Sequence, residues 1–375
     1  MSQAFKRTSI LAFKQKNVDT ALGYFAFRAA STWWSNVQMG PPDVILGITE
    51  AFKKDPDPKK VNLGVGAYRD DDGKPFILPC VKKAEEIIYN KGLNHEYGPI
   101  SGDPTFCDAA AKLAFGEGSP VLKNKSNCTV QTLSGTGALR LGMEFIMKHY
   151  AKNKEIFLST PTWGNHPQIC NMIGLKHSKY RYYNPKTIEF DLKGALEDIS
   201  KMPEGSIILL HACAHNPTGV DPKPSEWEQL SQAIAERKLF PFFDMAYQGF
   251  ATGSIDNDAS AVRLFVNAGH QVLLAQSFAK NMVNKLKDVK LMADRIISMR
   301  TKLRKGIESR GNKRNWNHIT DQIGMFCYTG LKPDEVERMT KEFHIYLTKD
   351  GRISVAGISS KNVDYVAEAI HKVTS

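Results

Sequence analysis

Residues 206–219 read SIILLHACAHNPTG, an apolar run that stops at His211 and passes into an Asn-Pro-Thr-Gly string. A short apolar run followed by a turn signal predicts a buried strand at residues 206–211. The turn then carries Asn216 to the carboxyl end of that strand, where open α/β sheets bind their ligands. An ordinary Asn-Pro turn needs no function, but the four-residue string is unusual enough to favour a binding site.

Strand-like and helical patterns alternate on both sides of this stretch. From about residue 76 to 280 the alternation predicts an α/β fold with a mainly parallel sheet. From residue 283 to 309 apolar residues recur every three or four positions, and shorter segments then predict a smaller α+β domain. The predicted strands are 128–133, 155–159, 206–211, 239–243 and 271–275, and the predicted helices are 138–148, 224–237, 259–268, 283–309, 333–343 and one from 361, with apolar segments at 324–329 and 352–356.

The composition bounds the class of protein. With 375 residues, 42% hydrophobic and 24% charged, the chain is an ordinary globular protein long enough for two domains. The net charge of +11 suits anionic ligands without identifying one, and the dense basic stretch 285–314 is typical of a solvated helix face. The six cysteines are spaced as free thiols, and His211 and His215 lack a metal-binding motif, so we predict no metal site.

The first thirty residues differ from the rest. They hold five basic residues against one acid, and their phenylalanines and leucines provide an apolar side. This composition is typical of a mitochondrial transit peptide, and it fits a disordered leader with no targeting function equally well.

A second ligand-binding pattern precedes the quoted stretch. Ser134-Gly135-Thr136-Gly137 lies between the predicted strand 128–133 and the start of a helix. Small residues let backbone N–H groups approach an anion, and the helix N-terminus adds favourable charge, so the string predicts a phosphate cradle. The same residue types also cap helices without binding anything.

Three charged residues follow the quoted stretch at strand ends. Asp244 ends an apolar run, with Tyr247 three positions later, and a desolvated carboxylate there needs a cationic partner. Lys280 follows another strand among small and apolar residues, a setting that favours an unprotonated amine. Arg352 heads an apolar segment and is suited to binding a carboxylate. A helix-capping Asp, a solvent-facing Lys and an edge-strand Arg are the plain alternatives.

In this order the segments resemble those of the fold type I aspartate aminotransferases, most closely the mitochondrial ones, from about residue 31 to the end. The strings are long and specific, so chance is a poor explanation. They are STWW (31–34), MGPPD (39–43), NLGVGAYRD (62–70), PTWGNH (161–166), HACAHNPTG (211–219), DMAYQG (244–249), SFAKN (277–281) and DQIGMF (321–326).

The resemblance implies pyridoxal 5'-phosphate as cofactor and a role for each matching residue. Lys280 would form the Schiff base and move the substrate proton, and Asp244 would pair with the pyridine nitrogen. Tyr247 and Asn216 would bind the phenolate oxygen, and Trp163 would stack on the ring. The remaining implied positions are Ser134, Gly135, Thr136 and Ser277 for the phosphate, Tyr97 for the phosphate of the neighbouring subunit, and Gly66 and Arg352, with Trp163 and Asn216, for the substrate.

The resemblance also implies organisation and reaction. The fold would be that of a fold type I transferase, with a large domain at 76–290, a small domain combining 31–75 with 291–375, and a leader at 1–30. The reaction would transfer an amino group between L-aspartate and 2-oxoglutarate in the mitochondrial matrix. The implied partners are small amino acids, 2-oxo acids and a second copy of the chain in a homodimer, and no nucleic acid.

The sequence departs from the family just after Lys280. Several dozen residues are missing between Met282 and the helix that follows, including a sheet strand and two arginines that in the family bind the cofactor phosphate and the distal carboxylate of the substrate. Lys285 or Lys287 cannot reproduce a bidentate arginine. The alternatives are therefore a catalytically impaired or inactive relative and, less favoured, a protein that uses the basic stretch to bind anionic lipid or nucleic acid.

Overall fold

The computed structural model describes residues 33, 37, 44–64, 66, 68–74, 76–278 and 286–375. The chain divides into two compact units, Met1–Pro42 and Asp43–Ser375, and all the helices and strands below belong to the second. The helices are α1 (Val44–Lys54), α2 (Pro79–Asn90), α3 (Pro104–Phe115), α4 (Pro120–Lys123), α5 (Ser134–His149), α6 (Asn165–Ile173), α7 (Leu192–Lys201), α8 (Pro224–Glu236), α9 (Ile255–Asp258), α10 (Ser260–Asn267), α11 (Leu286–Glu308), α12 (His318–Asp321), α13 (Pro333–Phe343) and α14 (Val363–Thr374). The strands are β1 (Val61–Asn62), β2 (Glu155–Thr160), β3 (Lys176–Arg181), β4 (Tyr183–Asn184), β5 (Glu189–Phe190), β6 (Ile207–His211), β7 (Phe240–Met245), β8 (Leu273–Gln276), β9 (Phe326–Tyr328), β10 (Ile345–Tyr346) and β11 (Arg352–Ser354).

The main sheet has five strands in the order β3-β2-β6-β7-β8, and all neighbours are parallel. Every residue of the central strand β6 is buried, as its uninterrupted apolar sequence requires. Since the strands are parallel, their carboxyl ends meet at one edge of the sheet. There His211 pairs in register with Asp244, and Asp244 with Ala275. The α/β fold with a mainly parallel sheet is confirmed.

Local chemistry explains where several elements begin. Helices α8 and α13 both start with a proline, and a glutamate two positions later accepts a hydrogen bond from the backbone N–H before the helix, at 2.6 Å in Glu226 and 2.8 Å in Glu335. Helix α13 has the bounds predicted from its spacing. The strands predicted at 155–159, 206–211, 239–243 and 271–275 are present as β2, β6, β7 and β8, shifted by one or two residues.

The strand predicted at residues 128–133 is wrong. No helix or strand is assigned at residues 126–132, and Val130 and Leu133 are exposed. A strand needs a neighbour for its N–H and C=O groups, and among the described residues β8 pairs with β7 alone and ends the sheet. Within residues 127–132, the Gln131 N–H alone donates to a described backbone carbonyl, that of Ser101 at 2.9 Å. The sequence of this segment is typical of a strand, but no described strand lies beside it to pair with.

The edge strand β3 was not predicted. Its residues, KHSKYR, are mostly polar, and only Tyr180 is buried. It is a strand because β2 offers it a complete parallel register from Glu155 to Thr160. Its polar residues also suit the edge of a sheet, where charge discourages further pairing.

Buried apolar residues form clusters on both faces of the sheet and a further cluster around α11 and α14. The two helices approach closely at Gly306, where a Cβ atom would lie 2.8 Å from the Cβ of Ala367.

The division into a large domain at 76–290 and a small domain at 31–75 and 291–375 stays a prediction. All six cysteines are free thiols, as predicted. No described helix combines the length and apolar character needed to cross a bilayer.

Candidate active site

A cavity of about 140 Å³ opens at the carboxyl edge of the sheet. Strands β6 and β7, the residue just after β8 and the first turn of α5 all contribute to its wall. The lining residues are Ser134, Gly135, Thr136, Leu139, Trp163, His211, Asn216, Asp244, Ala246, Tyr247 and Ser277. Eight residues predicted as cofactor ligands, from segments up to 143 positions apart, therefore meet around one space.

The first turn of α5 forms one wall of the cavity. The helix begins at Ser134, not at the predicted residue 138, so the SGTG string itself is the helix start. A Cβ atom on Gly135 would lie 2.8 Å from the Cβ of Ser277, which is closer than side chains tolerate. The first N–H groups of a helix have no partner inside it and attract anions. This wall therefore has the backbone geometry that suits an anion.

A chain of buried polar groups leads away from Asp244. The Oδ2 atom of Asp244 lies 3.1 Å from Nε2 of His166, and Nδ1 of His166 lies 2.8 Å from the Thr162 hydroxyl. The same hydroxyl lies 3.5 Å from Nε2 of His211. Burial, with His215 and His166 nearby, holds the pKa of His211 well below its usual value, so this imidazole is neutral near pH 7.

Asn216 and Tyr247 form the polar side of the cavity. The Asn216 Oδ1 atom is buried and accepts no hydrogen bond from any described residue. The Tyr247 hydroxyl is hydrogen-bonded to the Asn216 side chain, which lowers its pKa slightly, but burial and the charge of Asp244 raise that pKa by more. Tyr247 therefore stays protonated and can donate, while Asn216 keeps an acceptor available for a ligand.

Arg352 and Gly66 lie together beside the cavity but do not line it. The Arg352 guanidinium is buried, donates to the Gly64 carbonyl at 3.0 Å and lies 4.5 Å from the centre of the Phe326 ring. A Cβ atom on Gly66 would lie 2.5 Å from that ring. The Phe326 ring is itself 6.2 Å from the Tyr247 ring, centre to centre, so it links this pair to the cavity.

Two further predicted positions have different outcomes. Tyr97 is fully exposed, and Lys280 lies outside the described residues. Sequence reasoning in turn missed His166, His211 and Thr162 as part of the site. The signal was present, because His166 ends one of the matching strings and His211 ends β6. Among the described residues no group of His, Cys, Asp and Glu side chains is arranged to hold a metal ion.

Part of the basic stretch, which raised the alternative of a protein that binds anionic surfaces, is ion-paired where it is described. On α11, Lys290 bonds Asp294 at 2.7 Å, Arg304 bonds Glu308 at 2.8 Å, and Arg295 bonds Asp71 at 2.9 Å. Paired charges of this kind offer little attraction to lipid or nucleic acid.

The first turn of a helix, a strand-end carboxylate and an indole surround one cavity at the carboxyl edge of a parallel α/β sheet. Comparison with known proteins gives the class: the chain belongs to the family described as aminotransferase class I and II, whose model matches residues 58–285 and 283–370.

Curated relatives cover nearly the whole chain. The chain is 50% identical to the mitochondrial aspartate aminotransferase of Gallus gallus, over 92% of this chain and 95% of that protein. It is 45% identical to the mitochondrial aspartate aminotransferase of Dictyostelium discoideum, over 100% of this chain and 99% of that protein.

Solved structures agree with the fold. The cytoplasmic aspartate aminotransferase of Saccharomyces cerevisiae superposes with a TM-score of 0.88 at 39% identity, over 92% of this chain and 99% of that chain. An aromatic-amino-acid aminotransferase from Burkholderia pseudomallei, described as covalently bound to pyridoxal phosphate, has a TM-score of 0.88 at 35% identity, over 92% of this chain and 100% of that chain.

The comparisons also locate the missing residues. The two matches to the family model meet at residues 283–285, just after Lys280. The alignment with the Dictyostelium protein has 430 positions against 375 residues here, so about 55 of its positions have no counterpart in this chain. The gap inferred from the sequence is therefore a real difference in length from a relative that is covered almost completely.

Proposed function

We propose that this chain is a pyridoxal-phosphate-dependent aspartate aminotransferase, which converts L-aspartate and 2-oxoglutarate to oxaloacetate and L-glutamate. The observation that carries the proposal is the single cavity that combines Asp244, Asn216, Tyr247 and Trp163 with the first turn of α5. The names of the relatives support the choice of substrate.

The residues present fit this cofactor. The α5 start, at Ser134, Gly135 and Thr136, accepts a phosphate, and the close contact between Gly135 and Ser277 leaves its backbone accessible. The buried Asn216 amide keeps one polar atom without a partner among the described residues, so a ligand in the cavity can complete its hydrogen bonds. Asp244 offers a carboxylate to a protonated ring nitrogen, and the partly buried Trp163 offers a flat apolar surface.

The proposed chemistry divides between cofactor and chain. When bound, pyridoxal phosphate supplies a ring that accepts electrons from the substrate Cα. Asp244 keeps the ring nitrogen protonated, and His166, at 3.1 Å, holds that carboxylate in place. Lys280 would hold the cofactor covalently and would carry the proton at the substrate Cα, and Arg352 would bind the α-carboxylate beside Gly66. Ser277, three positions before Lys280 in the sequence, lines the cavity.

The missing segment supports a second candidate, a relative that binds the cofactor but turns over aspartate poorly. About 55 positions of the Dictyostelium protein have no counterpart here, and the family arginine for the distal carboxylate falls within them. The ratio of kcat/KM for L-aspartate over L-alanine separates the two candidates. A ratio well above one supports the aspartate enzyme, whereas a ratio near one with slow turnover supports the impaired relative.

The absorption spectrum of the purified protein tests the proposal. With pyridoxal phosphate added and the excess removed, we expect a retained cofactor absorption band that changes on addition of L-aspartate. Lys280→Ala should abolish the covalent band, and Lys201→Ala, at the exposed end of α7, should keep it. Absence of any retained band in the unmodified protein would sink the proposal.

We also propose a homodimer in the mitochondrial matrix, with residues 1–30 as the transit peptide and the two-domain division given above. Exposed apolar side chains between residues 87 and 100, including Tyr89, Tyr97 and Ile100, support an interface with a second copy. The names of both curated relatives support the location. Sedimentation at several concentrations and import into isolated mitochondria with leader cleavage test these points, and a stable monomer or an unprocessed chain would contradict them.

A further inference from the structure

A carboxylate outside the cavity wall holds the turn that carries Asn216. Asp221 Oδ2 accepts the backbone N–H of Ala214 at 2.6 Å, and its Oδ1 accepts the backbone N–H of His215 at 2.8 Å. The two oxygens of one side chain therefore bind the two successive N–H groups directly before Asn216.

The turn has a backbone conformation that needs such a partner. Ala214 has φ +48°, in the left-handed region that residues with a side chain rarely occupy. A left-handed residue in a turn makes successive N–H groups converge on one point, which binds an anionic oxygen well. The Ala214 side chain is also confined, because a Cβ atom on Gly324 would lie 2.4 Å from its Cβ. Asp221 thus accepts hydrogen bonds from two N–H groups that the buried turn brings close together.

The position of Asn216 depends on this turn. Its backbone N–H donates to Nδ1 of His211 at 3.2 Å, and its side chain bonds Tyr247. Neither contact fixes the backbone of Ala214 and His215, so a shift there moves the Asn216 Oδ1 atom along the cavity wall.

We propose that Asp221 is a positioning residue of the cofactor site. Its carboxylate fixes the turn at residues 214–216, and the turn in its place fixes the amide side chain of Asn216. The proposal rests on the proposed function where it refers to the cofactor. It predicts that Asp221 acts through Asn216, which separates it from a residue that merely stabilises the fold.

A double-mutant cycle tests that dependence. The dissociation constant of pyridoxal 5'-phosphate is measured for the cofactor-stripped protein, Asp221→Asn, Asn216→Ala and the double variant. An asparagine at position 221 offers one acceptor and one donor, so we expect affinity to fall about tenfold alone and hardly at all in the Asn216→Ala background. Equal losses in both backgrounds would overturn the proposal.

Asp258→Asn is the matched control. Asp258 is likewise a carboxylate that accepts backbone N–H groups, from Gly249 at 2.7 Å and Ala251 at 3.0 Å, but it holds a different loop. Any loss of affinity in this variant should be the same with and without Asn216→Ala. Coupling as strong as that of Asp221 would show that the cycle reports general loosening, and would count against the proposal.

Amide hydrogen exchange of the cofactor-free protein gives a second, independent readout. The N–H groups of Ala214 and His215 should exchange at least about tenfold faster in Asp221→Asn, while those of Gly249 and Ala251 stay as slow as before. If the unmodified protein binds no pyridoxal phosphate, the proposed function fails, and exchange alone decides the role of Asp221. Unchanged exchange at Ala214 and His215 would overturn that role.

Discussion

The Nε2 atom of His166 lies 3.1 Å from the Oδ2 atom of Asp244, although the two residues are 78 positions apart in the chain. His166 is completely buried, and its other ring nitrogen lies 2.8 Å from the Thr162 hydroxyl. The imidazole therefore has one orientation, and it fixes the carboxylate that faces the cavity.

Replacing His166 should weaken catalysis more than stability. A hydrogen bond to a charged group contributes about 1.5–3 kcal/mol, so His166→Ala should lower kcat/KM for aspartate by about 10–100-fold. Steady-state kinetics measure the effect. His177→Ala, which removes a half-buried histidine of β3 bonded to Asn171, is the control and should leave kcat/KM within about twofold. Equal effects of the two variants would contradict the role assigned to His166.

Gly135 should tolerate no side chain, whereas its neighbour should. A Cβ atom on Gly135 would lie 2.8 Å from Ser277, but one on Gly137 would have its nearest contact at 3.5 Å. Gly135→Ala should therefore displace the α5 start and weaken pyridoxal phosphate binding by about tenfold or more, since overpacking costs about 1–3 kcal/mol. Gly137→Ala should bind normally in the same titration. Equal affinities for the two variants would show that the cradle has room to adjust.

Gly66→Ala tests the contact between Phe326 and Arg352. The new Cβ atom would lie 2.5 Å from the Phe326 ring, so the ring must move away from the guanidinium above it. We expect KM for aspartate to rise several-fold. Gly47→Ala, in α1 with no atom within 4 Å, should leave KM unchanged and stabilise the helix by about 0.5–1 kcal/mol. An unchanged KM in Gly66→Ala would remove Gly66 from the proposed substrate site.

The pH dependence of stability should carry a contribution from Asp221. Burial raises the pKa of Asp221 to about 7 from its ordinary 3.8, with a smaller opposing effect from the N–H groups of His215 and Ala214. The titratable groups that face it are Asp258, Tyr182, Cys213 and the neutral His215.

Because the folded state binds this proton more tightly than the unfolded state, the stability it contributes is full below pH 3.8 and is lost as the pH rises through about 7. Urea unfolding at a series of pH values should show a steeper decline over this range for the unmodified protein than for Asp221→Asn. Identical slopes would contradict the raised pKa.

Much of the site could be predicted from the sequence because its residues occupy chemically distinctive positions. The apolar run before Asp244 and the Asn-Pro-Thr-Gly turn both placed their polar residue at a strand end, and the cavity contains both. His166 and Asp221 could not be assigned in this way. The packing of α6 and of the turn after β6 brings their hydrogen-bond partners into contact, and no local sequence pattern predicts such contacts.

The sequence by itself determined the alternation of strands and helices and the bounds of α13, because burial and helix capping are read from local residue order. Its resemblance to a known family predicted the set of residues that meet at one cavity. Only the tertiary structure decided that residues 126–132 form no strand, that the polar KHSKYR segment does, and that His166 pairs with Asp244. The physical reason is common to all three. A strand, like a buried charge, is stabilised by hydrogen-bond partners from distant parts of the chain, and those partners are defined only once the chain has folded.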